Sequence, residues 1–146
     1  WAVGQTARFK VGLMGAGVSD WGMMTATGDL PAFERMLGGS AGWEGPGPHQ
    51  HAALSPISFA HQVTTPLLIL HGAEDARVPV SQGRFMAQAL REHGVPCELV
   101  VYPREPHGIR ERHHQLDILR RVREWTARWL GPGWAPPGAP AAGDNS

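Results

Sequence analysis

Residues 66–72, Pro-Leu-Leu-Ile-Leu-His-Gly, place four apolar side chains in a row, with no polar position between them. A strand with one wet face would alternate. A strand covered on both faces does not, and such strands belong to parallel sheets flanked by helices. Two more segments read as strands. Residues 9–18, Phe-Lys-Val-Gly-Leu-Met-Gly-Ala-Gly-Val, are apolar and end in a glycine turn, and residues 98–102 are Glu-Leu-Val-Val-Tyr. Ser81 to His93 reads as a helix with Phe85, Met86, Ala89 and Leu90 on one side. Ser81 is placed to cap its start, and His93-Gly94 with Pro96 beyond is a stop.

A last helix runs from about Arg112 to Leu130, where Leu116, Leu119, Val122, Trp125 and Trp129 form an apolar stripe. Asp29-Leu30-Pro31 opens a further helix with Asp29 as its N-cap and Phe33, Met36 and Leu37 on one face. Gly38 to Pro48 is loop, and residues 1–6 read as the tail of a helix. Strands alternating with helices predict an α/β fold built on a parallel sheet with right-handed crossovers. From Gly131 the chain is Pro, Gly and Ala without hydrophobic period. The folded part is therefore expected to be 1–130, with a disordered tail over 131–146.

Thirteen basic residues balance thirteen acidic ones, so no nucleic-acid or anionic-membrane partner is expected. No apolar run approaches the ~18 residues of a membrane helix. Cys97 is the only cysteine. It leaves no internal disulfide and points to a reducing, cytoplasmic setting. The start, Trp1-Ala2-Val3-Gly4, has neither a Met nor a basic leader and reads as an internal start. His49 and His51 lie in a loop and His113-His114 at a helix start. None belongs to a ligand set such as His-Glu-x-x-His, so no metal is expected.

In parallel α/β sheets the working residues lie beyond the carboxyl ends of the strands. Asp75 follows the strand ending at Gly72, and His107 follows the strand ending at Tyr102. A carboxylate and an imidazole on neighbouring strand ends are two parts of a nucleophile–histidine–acid triad, in which the acid orients the histidine. In the α/β-hydrolase order the serine comes first, so it should lie upstream. Gly38-Gly39-Ser40-Ala41-Gly42 fits the Gly-x-Ser-x-Gly elbow pattern. It is set aside, because an elbow sits between a buried strand and a helix, whereas Ser40 follows a helix and precedes a loop.

Thr65-Pro66-Leu67-Leu68-Ile69-Leu70-His71-Gly72, Asp75-Ala76-Arg77-Val78-Pro79, Ser81-Gln82-Gly83, Val100-Val101-Tyr102-Pro103 and His107-Gly108-Ile109 together resemble the prolyl oligopeptidase family of serine peptidases. Within it they look closest to acylaminoacyl-peptidase and dipeptidyl-peptidase-like enzymes. Trp1 to Thr6 and Val18 to Trp21 extend the resemblance over roughly residues 1–130.

The resemblance implies the C-terminal portion of an α/β-hydrolase fold without its upstream strands and nucleophile elbow. It makes Asp75 the triad acid and His107 the general base. Arg77 becomes the cation that holds a substrate carbonyl, and Val18 and Trp21 the lining of the pocket for the side chain before the scissile bond. It implies a peptide substrate, no cofactor, and a chain inactive by itself. Pro106 departs from the family's usual glycine before the histidine. Other readings of the same residues are a plain turn for Asp75, a surface ion pair of Arg77 with Glu74 or Glu105, and core packing for Val18 and Trp21. For the whole chain they are an esterase or acyl hydrolase of the same fold, or a truncated, non-enzymatic binding module.

Overall fold

A computed structural model describes residues 1–131. The expected tail therefore lies, but for Gly131, outside the described residues. The chain opens with a 3₁₀ turn, Ala2–Gly4. Three parallel strands follow in the spatial order β1-β2-β3: β1 (Gly12–Gly15), β2 (Leu67–Gly72) and β3 (Cys97–Tyr102). β2 is central. Gly12 to Gly15 pair with Leu67 to Leu70 on one side, and Cys97 to Tyr102 with Leu67 to Gly72 on the other. This is the covered strand that its unbroken apolar run predicts: Leu68 and Ile69 have no exposure at all.

β1 is shorter than the 9–18 expected. Its first ladder bond runs from the Gly12 N–H to the Pro66 carbonyl. Pro66 has no N–H to return, so pairing stops there. At the other end Ala16 takes φ 43 and turns the chain out of the sheet.

The helices are α1 (Trp21–Thr27), α2 (Pro31–Gly38), α3 (Gln50–Leu54), α4 (Ser81–Glu92) and α5 (Arg112–Leu130). α1 and α3 have no counterpart among the elements expected from the sequence, and α3 puts His51 on a helix rather than in a loop. α1 is capped by Asp20, whose carboxylate accepts from the Met23 N–H at 2.8 Å. α2 begins one residue later than Asp29 implied. Leu30 is the N-cap and Pro31 the first turn, and the Asp29 side chain is used elsewhere. Its apolar residues Phe33, Met36 and Leu37 are exposed, while Glu34 and Gly38 face inward. α4 starts at Ser81, but the Ser81 side chain caps nothing. Its inner face is Gln82, Gly83, Met86, Ala87 and Leu90, and Phe85 is exposed. Met86, Ala87 and Leu90 pack with Leu67, Ile69, Val63 and Val95 as the main core.

α5 matches its expected bounds, and its expected face holds at Val122, Trp125 and Trp129 but fails in the first half of the helix. The inward positions are His114, Ile118, Val122, Trp125 and Trp129, whereas Leu116 and Leu119 are exposed. Steps of three residues fall short of a full turn by about 60° each, so a stripe built on them drifts across the helix. No described helix is long and apolar enough to cross a membrane.

Candidate active site

Asp75 and His107 meet at the carboxyl end of the sheet. His107 Nδ1 lies 2.9 Å from Asp75 Oδ2, with the acid's side chain fully buried and the imidazole half exposed. Asp75 Oδ1 accepts from the Val78 N–H at 2.8 Å, so the acid is held by its own turn. His71, fully buried on β2, braces that turn. Its Nε2 is 2.7 Å from the Val78 carbonyl and 3.6 Å from Asp75 Oδ2. A buried carboxylate on Nδ1 fixes the tautomer of the ring and leaves Nε2 to work on a partner. Among the described residues Nε2 of His107 has none. His107 lines a cleft of about 280 Å³ that includes Gly15, Ala16 and Ile109.

The two loops that carry this pair are stitched together. The Ala73 N–H donates to the Tyr102 carbonyl, and the Glu74 N–H to the Glu105 carbonyl. A side chain at Gly72 would strike the Glu105 and Pro106 carbonyl oxygens, so only glycine lets the histidine loop lie this close. Pro106 in place of glycine does not keep the loop from bringing His107 onto Asp75. Glu105, 1% exposed, accepts from the N–H groups of Arg110 and Glu111 and from the His114 ring at 2.7–2.9 Å. Burial alone would raise its pKa, but those donors and the charge on His114 outweigh it and hold the carboxyl at about 2.

Val18, Trp21 and Arg77 border one apolar cleft of about 170 Å³, together with Phe33 and Leu37 from the exposed face of α2. Arg77 does form an ion pair, but its partner is neither Glu74 nor Glu105. Nε donates to Asp29 Oδ1 at 2.6 Å, and this hydrogen bond raises the guanidinium pKa further. The turn carrying Val18 and Trp21 is held by Gln82. Its Oε1 accepts from the Ser19 and Asp20 N–H groups, and its Nε2 donates to the Asp20 carbonyl. Sequence reasoning gave Gln82, Glu105 and His71 no role of their own. The available signal was their position, a polar residue beside each of the predicted turns.

Ser40 follows the left-handed cap Gly39 of α2, and its Oγ lies 3.1 Å from His51 Nδ1 and accepts the His51 N–H. No strand leads into it, so the elbow geometry is not met. Glu111, His113 and His114 come nearest to a metal-ligand set among the described residues. Two of the three are engaged: Glu111 pairs with Arg104 and His114 with Glu105. A cavity of about 400 Å³ runs along β1 beside Trp1 and Leu13, and neither Asp75 nor His107 lines it.

A parallel sheet with an acid and a histidine on adjacent strand ends is the arrangement of the α/β-hydrolase class. Within that class the chain belongs to the prolyl oligopeptidase family, whose sequence model matches residues 1–133. It is 30% identical to dipeptidyl-peptidase 5 of Porphyromonas gingivalis over 125 residues, which cover 84% of this chain and 18% of that protein. It is 39% identical to the human acylamino-acid-releasing enzyme over 77 residues, covering 53% of this chain and 10% of that enzyme. Among solved structures it superposes on an acylaminoacyl peptidase of Pyrococcus horikoshii with a TM-score of 0.78 and 26% identity, covering 92% of this chain and 23% of that one. The chain thus spans a quarter or less of the length of these relatives.

Proposed function

We propose that Asp75 and His107 are the acid and the general base of a serine-peptidase triad, completed in the full-length protein by a serine outside this chain. The observation that carries the reading is the 2.9 Å contact between His107 Nδ1 and a carboxylate with no exposed surface. In this mechanism the serine attacks a peptide carbonyl. His107 Nε2 takes the hydroxyl proton and returns it to the leaving amine, and Asp75 stabilises the imidazolium between the two steps.

Arg77, at the mouth of the apolar cleft, holds a carbonyl of the peptide. Val18 and Trp21 receive the side chain before the scissile bond. By this reading the chain without a serine partner has no turnover.

The test is fluorophosphonate labelling of the full-length protein, followed by mapping of the labelled peptide. Label on a serine preceding residue 1, lost in His107→Ala, is expected. Label on Ser40, or no label on any serine, would sink the proposal. Relative rates on an aminoacyl arylamide and a p-nitrophenyl ester separate peptidase from esterase action.

A further inference from the structure

We infer that Glu105 is a positioning residue for His107: its carboxylate ties the two ends of the histidine loop together and so holds the imidazole on Asp75. The inference rests on the triad reading above and extends it to a residue that the chemistry itself does not touch.

Glu105 has 1% exposure, and a carboxylate so deeply buried must be matched by donors. It has three. The Arg110 N–H lies at 2.7 Å, the Glu111 N–H at 2.9 Å and His114 Nδ1 at 2.7 Å. Arg110 and Glu111 lie just before α5 and His114 in its first turn, and the N-cap residue, Glu111, caps nothing with its own side chain. That side chain is turned to Arg104 instead. A negative charge at this end of the helix is favoured by the peptide dipoles and fills otherwise orphaned N–H groups.

A carboxylate anywhere nearby could cap α5. This one comes from within the histidine loop, so residues 105–110 form a closed ring with His107 at its tip. The backbone of Glu105 grips the other side of the site. Its carbonyl accepts from the N–H of Glu74, the residue before Asp75. One residue thus fixes the acid turn, the histidine loop and α5 relative to one another. The other ties across the loop are solvent-exposed: Arg104 pairs with Glu111, and the Gln115 amide donates to the Ile109 carbonyl. Pro106 has no N–H to add one.

The experiment compares full-length wild type, Glu105→Gln and His107→Ala, all assayed well below their melting temperatures. Gln keeps the shape but turns an NH₂ group toward donors. Loosening the loop by about 1 Å is expected to cut the fluorophosphonate labelling rate and kcat by about 10- to 100-fold. KM should stay within about twofold, because the Glu105 carboxylate bonds to none of the residues that line the substrate cleft. His114→Leu removes one donor of the three and serves if Glu105→Gln does not fold. A several-fold fall in kcat at constant KM is then expected.

Folded Glu105→Gln with a lower Tm but wild-type kcat would overturn the inference and leave Glu105 a helix cap. If KM rises in step with the loss, the cleft rather than His107 has moved, and the inference fails equally. Retention of label by His107→Ala is a different failure. It removes the triad reading, and the role of Glu105 with it.

Discussion

Replacing Gly72 with Ala should disable the site without touching either Asp75 or His107. A methyl group built on Gly72 lands 2.9 Å from the Glu105 carbonyl carbon and closer still to the carbonyl oxygens of Glu105 and Pro106. These are backbone atoms, so no rotamer change relieves the overlap. β2 cannot retreat, since it is the central strand and paired on both sides. The histidine loop must therefore move off the strand end by about 1 Å to restore ordinary contact, and a shift of that size at a reacting group costs ~100-fold in rate. Overpacking of this kind also lowers stability by about 1–3 kcal/mol. The assay is steady-state hydrolysis of an aminoacyl arylamide by the full-length protein, with a thermal melt of the same sample. Wild-type kcat in a folded Gly72→Ala protein would refute the argument, because it would show that the loop position does not govern His107.

Three further outcomes follow from the same geometry. Asp75→Asn should lower kcat by about 10⁴-fold in the full-length enzyme, since an amide cannot stabilise the imidazolium; a loss below tenfold would mean that Asp75 is not the acid. Arg77→Ala should raise KM by about tenfold, the worth of a hydrogen bond to a charged group, with little change in Tm, because its ion pair with Asp29 is largely solvated; an unchanged KM would reduce Arg77 to a surface residue. Asp117 is held at about 2, first by the Arg121 hydrogen bond and then by Arg120, below its ordinary value of 3.8. A depressed carboxyl stabilises the fold above its unfolded pKa and loses that contribution as pH falls toward 2, so the Tm gap between wild type and Asp117→Asn should close between pH 5 and pH 2; a constant gap would show that the Arg121 and Arg120 bonds add nothing to folding.

The central strand, the two turns that follow β2 and β3, and the long helices could be read from the chain because each depends on neighbours in sequence. An unbroken apolar run dictates burial on both faces whatever packs there. Asp75 and His107 could be named for the same reason: parallel strands bring their carboxyl ends to one edge, so residues 32 apart become neighbours. α1 stayed hidden because Gly22, Thr25 and Thr27 blur its period, and only the Asp20 cap marks its start.

What tertiary structure alone decided is which polar groups find one another. Arg77 meets Asp29 across 48 residues, and Gln82 meets Ser19 across 63. No local pattern encodes such pairs. The same holds for the inner face of α5, where the sheet rather than the spacing of leucines chose Ile118 over Leu119. Glu105 sits on the border between the two cases: its donors are only five to nine residues away, yet its burial comes from the closure of the histidine loop over the end of β2. Short-range periodicity specifies elements and their order, whereas the partners of buried charges are set by desolvation, which exists only once the chain has closed around them.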